Sequence, residues 1–447
     1  MSRERSKHIK ALWAAIEAHE SELLKALQED LGKPEPEALL QELYPLKKEI
    51  QYTLRNLHDW TSKRWASTPL ALLGTRQYVK AEPKGRVLII SPWNFPVMLT
   101  LRPLVSALAA GNSVVLKPSE HTPHTSEVIK KLVNSVFNDD HVKIVLGGPE
   151  VAANLTSQPF NHICFTGGTE IGKLVMQSAS KNLCSVTLEL GGKSPVIIDR
   201  TAHINNTIKR IAWGKYLNAG QVCIAPDYML VESSVHDQVV EGLKKRITHM
   251  FSSNPIDSED LGRIVNKRHY DRILGLIKSA VKDGAVLHVP GGVLELGDQI
   301  RKIAPCFLTN CTSDMEIMKQ EIFGPVLPIL KWDTKSEAID LVNKNPEPLA
   351  LYIFSKNRKN ISHLIEHTKS GSTAINEVVI QIANPDLGFG GCGSSGIGRS
   401  NGKASFDSFS NLRSFVVAST RFNALPLTFP PFGKFGLALT RFIRKWL

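Results

Sequence analysis

Between Arg86 and Asn376 the chain repeats one unit, a short run of apolar, β-rich residues followed by a stretch with helical spacing. Arg86–Ile90, Ser113–Leu116, Val142–Val145, His162–Phe165, and Ser185–Leu188 with Val196–Ile198 form a first series. A second series runs from about Gly191 to Pro385 and includes Asp227–Val231, Cys306–Thr309, Pro325–Leu330, Ala350–Phe354 and Ser372–Asn376. Runs this apolar need cover on both faces, and strands alternating with helices join in parallel through crossovers. The pattern predicts an α/β fold of doubly wound parallel sheets in two α/β domains. The length of 447 residues suits two or three domains at roughly 150 residues each.

The flanks read differently. From about Arg5 to Arg64, apolar residues recur at helical spacing (Leu12, Ala15, Ile16, then Leu23, Leu24, Leu27), and Gly32-Lys33-Pro34 interrupts them, which predicts two or three helices. Residues 68–82 read as extended strands around a glycine turn, an arm outside the core, with Arg413–Ala418 as a final strand that pairs with it. The longest uncharged apolar stretch, Val87–Leu101, holds Pro92 and Pro96 and is shorter than the roughly 20 residues of a spanning helix. The first residues, Met-Ser-Arg-Glu-Arg-Ser-Lys, carry no apolar signal core, so a cytoplasmic location is expected.

Six cysteines (Cys164, Cys184, Cys223, Cys306, Cys311, Cys392) are scattered without close pairs, which argues against a metal site or a disulfide framework. The net charge is +12, but no acid follows Asp407 while Arg413, Arg421, Lys434, Arg441, Arg444 and Lys445 do. Half of the excess therefore sits in the last forty residues, and the near balance of the rest argues against a nucleic-acid surface. In the segment 426–447, Leu437, Phe442, Ile443, Trp446 and Leu447 interleave with those cations, the pattern of a basic amphipathic helix. Either a peripheral membrane contact, or packing over a pocket entrance or a second copy, would use it.

Five places carry candidate chemistry. Cys223 lies between Gly220, which permits close backbone approach, and Pro226, which ends any helix, so its thiol is expected at an exposed turn where a thiolate could attack an electrophilic carbon. Glu189 ends a strand-like run just before Gly191-Gly192, and partial burial between Leu188 and Leu190 would raise its pKa and suit a general base for water. Asn94, in Ser91-Pro92-Trp93-Asn94-Phe95-Pro96, is a rigid amide that could donate to an oxyanion, or a turn residue capping the next helix. Cys164-Phe165-Thr166-Gly167-Gly168-Thr169-Glu170-Ile171-Gly172 passes from strand through glycines to a helix, the layout that holds a pyrophosphate. Leu116-Lys117-Pro118-Ser119-Glu120 sets a cation and an acid where a cofactor ribose would lie. The glycine-dense run 388–398 implies backbone forced close to something, or a mobile loop.

Four blocks in this order resemble the aldehyde dehydrogenases: Pro92–Pro96, Leu188–Pro195, Gly220–Cys223 and Glu321–Pro325. Cys223–Tyr228 and Gly402–Ser410 are similar to the class 3 branch, whose members oxidise medium- and long-chain or aromatic aldehydes and are usually dimeric. The resemblance implies a Rossmann-type cofactor domain (1–66 and 85–189, with part of 386–406), a catalytic domain (190–385), an oligomerisation arm (67–84 and 407–425) and the tail 426–447. It implies Cys223 as nucleophile, Glu189 as base, and Asn94 with the Cys223 backbone N–H as the oxyanion hole. Lys117 and Glu120 would approach the adenosine ribose, and Thr166, Gly167 and Gly168 the pyrophosphate. Glu321 would meet the nicotinamide ribose and Phe323 the ring, with Trp93 and Gly172 also at the cofactor. Departures are Gly168 for a more familiar serine or asparagine, Asn376-Glu377 for Asn-Asp, Gln381 for a frequent histidine and Gly388 for a common proline.

The expected reaction is oxidation of an aldehyde to its acid with NAD preferred and NADP possible, by a homodimer. Transfer of the acyl group to coenzyme A, or a non-catalytic protein of the same fold, are the alternatives; Glu189 weighs against the first, and the presence of Cys223, Glu189 and Asn94 together against the second.

Overall fold

The computed structural model describes residues 2–69, 72–295, 297–345, 347–421 and 429–446. The chain opens with helices α1 (Ser2–Ala18), α2 (Glu20–Leu31), the single turn α3 (Glu35–Ala38) and α4 (Tyr44–Thr61), the last two joined by a π-helical turn at Leu39–Leu43. Gly32 at φ 60° ends α2 in the left-handed cap, its amide bonded to the Gln28 and Leu27 carbonyls. The arm follows, with β1 (Arg64–Ala66) and β2 (Thr75–Pro83) pairing antiparallel.

The first α/β series is β3 (Arg86–Ile90), α5 (Met98–Ala110), β4 (Ser113–Lys117), α6 (Pro123–Asn134), β5 (Val142–Ile144), α7 (Pro149–Ser157), β6 (His162–Thr166), α8 (Thr169–Ser180) and β7 (Ser185–Glu189). The second runs from β8 (Pro195–Ile198) through α9 (Ile204–Tyr216), β9 (Tyr228–Glu232), α10 (His236–Phe251), α11 (Lys267–Lys282), β10 (Val286–His288), β11 (Cys306–Thr309) and α12 (Glu316–Lys319). It continues with β12 (Val326–Trp332), α13 (Lys335–Asn343), β13 (Ala350–Phe354), α14 (Arg358–His367) and β14 (Ser372–Ile375). The chain closes with β15 (Gly396–Ile397), α15 (Gly402–Ser408), β16 (Ser410–Ala418) and α16 (Gly433–Trp446).

These strands form a six-stranded sheet ordered β15-β7-β6-β3-β4-β5, a seven-stranded sheet ordered β10-β11-β12-β9-β8-β13-β14, and the three-stranded arm β1-β2-β16. Among the described residues, only the edge strands β15 and β10 of the two large sheets run antiparallel to their neighbours. Central strands are buried on both faces, as their unbroken apolar runs require: Val87, Leu88 and Ile89 in β3 and all of β8 and β13 are closed to solvent. α5 packs against α1, α4, α15, β3 and β4, and this all-round cover explains why it is apolar on every side. Emptying one such position, as in Leu88→Ala, costs about 2–5 kcal/mol.

Three details differ from the sequence reading. Val196–Ile198 joins the second sheet, between β9 and β13, because Gly191 and Gly192 carry the chain from one sheet into the other. Arg64–Ala66, expected in the cofactor unit, is the third strand of the arm. Gly396–Ile397, inside the glycine-dense run, adds an edge strand to β7. β16 does pair with β2 along its length, Arg413 opposite Lys80 and Ala418 opposite Thr75. The expected arm end at 422–425, the start of the tail at 426–428, and Leu447 lie outside the described residues. Among the described residues no helix is long and apolar enough to cross a membrane.

Candidate active site

In the six-stranded sheet the chain steps outward from β3 to β4 and β5, then returns to β6 and β7 on the other side of β3. The segments leaving β3 and β6 therefore diverge, and open parallel sheets hold ligands outside the strand carboxyl ends at such a switch point. Trp93 and Asn94 leave from β3, Lys117 and Glu120 from β4, Thr166–Gly168 from β6 and Glu189 from β7.

The Cys223 loop begins where α9 ends. Asn218 (φ 49°), Ala219 (φ 53°) and Gly220 (φ 77°) are three successive left-handed residues, strain of a kind that collects at functional sites. A Cβ on Gly220 would stand 2.2 Å from the Gly324 carbonyl oxygen, so no side chain fits. Cys223 itself is half-buried against the core of the second domain, which corrects the expectation of an exposed turn. Burial, then the charges of Glu321 and Glu189, push its thiol up to about 12, while the Cys223 and Ile224 amides facing the sulfur pull the other way. Beneath it, the Tyr352 hydroxyl donates to the Ile224 carbonyl at 2.6 Å and accepts from the Gln381 amide at 3.2 Å.

Glu189 is more enclosed than Leu188 and Leu190 alone suggested, at 7% exposure. The Ser400 hydroxyl donates to its Oε1 at 2.9 Å, and Oε2 is buried without a partner among the described residues. Burial raises its pKa to about 8, against the opposing pull of Ser400, Arg399 and Arg102. The edge strand β15 makes this enclosure. Gly396 pairs with Glu189, and a Cβ there would be 2.2 Å from the Leu188 carbonyl oxygen, so the dense glycines serve close backbone contact.

Asn94 is buried and tied at both ends. Its Nδ2 donates to the Gln221 carbonyl at 3.0 Å, two residues before Cys223, and its own carbonyl accepts from Asn218 at 2.8 Å and Lys33 at 3.1 Å. Gln221 in turn clamps Asn218, Arg263 and Val265 through its side-chain amide. Lys33, Asn218 and Gln221 were not singled out in the sequence; Gln221 lies in the Cys223 block and Asn218 just before it, but Lys33 had only the Gly-Lys-Pro break to mark it.

Glu321 lies on the Gly191 backbone, where a Cβ would be 2.1 Å from its Oε2. Burial and then Asp227 raise it to about 8, opposed by the Gly192 amide, Lys193 and Arg272. Its loop is pinned by groups the sequence reading passed over. Lys193 pairs with Asp227 at 2.5 Å and donates to the Gln320 carbonyl, Asp227 accepts from the Ile322 amide, and Arg272 holds the Glu321 and Ile322 carbonyls. Phe323, at φ 49°, meets Trp93 edge-on at 5.3 Å.

At the cofactor end, Lys117 and Glu120 form an ion pair at 2.7 Å. Burial works to raise the Glu120 carboxyl, but the Lys117 hydrogen bond and charge outweigh it and hold the group below its usual range. Gly167 donates to the Glu189 carbonyl at 3.0 Å. Gly168 is the N-cap of α8 with no side-chain cap, and a Cβ there would meet nothing within 4 Å. Gly172 serves packing, since a Cβ would press 2.5 Å from Leu190. An uncapped helix N-terminus beside open space, an ammonium at β4 and carboxylates at Glu120 and Glu321 form a donor set that fits a dinucleotide, with phosphates on the amides and ribose hydroxyls on the acids. Among the described residues no group of His, Cys, Asp and Glu could hold a metal ion.

The aldehyde dehydrogenase family profile matches residues 1–415. The 4,4'-diaponeurosporen-aldehyde dehydrogenase of Staphylococcus aureus is 44% identical over 432 residues, 96% of this chain and 93% of that protein. Aldehyde dehydrogenase family 3 member A2 of Macaca fascicularis is 40% identical over 451 residues, 99% of this chain and 91% of that one. Among solved structures, the substrate-bound state of Staphylococcus aureus AldH superposes with a TM-score of 0.95 at 41% identity, covering 99% of this chain and 95% of that chain.

Proposed function

The chain belongs to the aldehyde dehydrogenase family and is an aldehyde-oxidising oxidoreductase, and on that premise we propose that it converts a medium- or long-chain aliphatic or aromatic aldehyde to the carboxylic acid through Cys223. The observation that carries the reading is the Asn94–Gln221 bond two residues before Cys223, whose thiol feels the charges of Glu321 and Glu189. The sulfur adds to the carbonyl carbon, and the oxygen takes up the negative charge. An amide nitrogen carries two hydrogens; Gln221 takes one from Asn94 and fixes its plane, leaving the other, with the Cys223 backbone N–H, for that oxygen. Loss of hydride from the same carbon leaves a thioester on Cys223. Glu189 then draws a proton from the water that releases the acid.

The family uses NAD(P); bound in its oxidised form, the nicotinamide supplies the hydride acceptor and a positive charge that favours ionisation of a thiol otherwise titrating near 12. We assign Thr166, Gly167 and Gly168 to the pyrophosphate, Glu321 to the nicotinamide ribose, Trp93 and Phe323 to the ring, and Lys117 with Glu120 to the adenosine ribose. The Glu120 carboxylate repels a 2′-phosphate and Lys117 is already paired with it, which favours NAD. The chain acts as a homodimer in this proposal: β16 is a sheet edge with Leu412, Val416 and Val417 exposed, a strand that invites a second copy. We also propose that α16 touches an anionic membrane, since Phe435, Leu437 and Phe442 are exposed beside Arg441, Arg444 and Lys445.

Incubating the chain with NAD and an aldehyde series, reading NADH and acid together, tests the reaction; Cys223→Ala should produce neither. Acyl transfer to added coenzyme A in place of acid would overturn the hydrolytic step. Co-sedimentation with anionic vesicles, lost on deleting 426–447, tests the tail.

A further inference from the structure

We propose that Lys33 and Glu42, an ion pair sealed among the N-terminal helices, are positioning residues that hold Asn94 in register with Cys223. The proposal rests on the reading of Asn94 as the oxyanion donor. Both side chains are closed to solvent, at 0% exposure, and Lys33 Nζ lies 2.6 Å from Glu42 Oε1. The same Nζ donates to the Asn94 carbonyl at 3.1 Å and stands 4.4 Å over the Phe95 ring. The second Glu42 oxygen accepts from the Val97 and Met98 amides at 3.1 and 2.9 Å, at the start of α5. The pair thus grips the segment carrying Asn94 at two points, its carbonyl and the helix that follows it.

The local backbone is shaped for this. Gly32 in the left-handed region and Pro34 in the extended region turn Lys33 inward between α2 and α3. The π-helical turn at Leu39–Leu43 presents Glu42 and Leu43 to the interior while Leu40 is 60% exposed, and π turns recur at functional sites. A buried ion pair is a poor source of stability, because well-packed apolar residues of similar volume serve as well or better. Three charge-assisted bonds aimed at residues 94–98 are therefore better explained by placement than by stability. Lys33 and Glu42 touch no reacting atom; they act through Asn94.

The test is a double-mutant cycle in the full chain with NAD and a productive aldehyde. Lys33→Met should lower kcat about 10²-fold, the loss expected for roughly 1 Å of misplacement, with the KM for NAD and the rate of iodoacetamide labelling at Cys223 unchanged. In an Asn94→Ala background the same substitution should cost less than about threefold, because residues acting through one group are not additive. Lys33→Met combined with Glu42→Gln removes both members of the pair and strands neither, so it should recover thermal stability relative to Lys33→Met alone yet keep the low kcat. Full additivity in the Asn94→Ala background, or a wild-type kcat in the paired variant, would overturn the proposal. If wild type makes no NADH that Cys223→Ala abolishes, the proposed function falls as well, which separates the two failures.

Discussion

A carboxyl group that titrates near 8 is ionised in about one molecule in ten at pH 7 and about nine in ten at pH 9. Glu189 is such a group, raised to about 8 chiefly by burial behind β15. If its ionised form takes the proton from the hydrolytic water, turnover limited by that step rises about tenfold between pH 7 and 9 and then levels. Glu189→Gln should be slower by about 10²–10⁴-fold and flat with pH, while the first turnover survives as a burst of one NADH per chain. Rapid-mixing absorbance with acid quench across pH 6–10 measures both phases. A burst-free Glu189→Gln enzyme, or one that keeps the wild-type pH limb, would refute the reasoning. Stability must move the other way. The folded group holds a proton that the unfolded chain has lost between about 4.5 and 8, so the wild type loses up to about 1.4 kcal/mol per pH unit across that window. Its stability is greatest below the unfolded pKa and falls as pH rises through the folded one. Glu189→Gln lacks this slope and should melt higher than wild type above pH 8.

Gly220→Ala should abolish activity and lower the melting temperature, since its Cβ would meet the Gly324 carbonyl oxygen at 2.2 Å from a left-handed backbone; a soluble, active variant would show that the loop can shift. Gly168→Ser should gain a few tenths of a kcal/mol as an N-cap, because a Cβ there meets no protein atom within 4 Å; calorimetry checks this. In the chain without cofactor, iodoacetamide should label Cys223 about tenfold faster per pH unit up to pH 10 and beyond, following a thiolate that forms near 12; mass spectrometry of the Cys223 peptide reads this, and fast labelling at pH 7 would contradict it.

Much of the fold was legible because period and burial agree: the apolar runs at 87–90 and 350–354 are central strands buried on both faces, and 113–116 is a strand beside the first of them. Val196–Ile198 was harder to place, since a strand's own residues do not say which sheet it enters when two glycines precede it. Gly396–Ile397 had no strand pattern at all; its partner is Glu189, far away in the chain. Of the site, residues at strand ends and glycine turns stood out, whereas Lys33, Glu42, Arg272 and Asp227 were given no part in it. Their roles come from burial and long-range partners, which local sequence does not encode. The exposure of Cys223 was misjudged because a turn-like local sequence does not reveal the hydrophobic core packed against it.

The bond from Ser400 to Glu189 spans 211 positions of sequence. Contacts this distant form late, after the entropy of closing a long loop has been met. During synthesis the β7 edge beside Glu189 stays bare at least until 396–400 have been made, when nearly nine-tenths of the polypeptide is complete. A nascent chain can thus complete much of its first sheet while the Glu189 carboxyl still faces solvent.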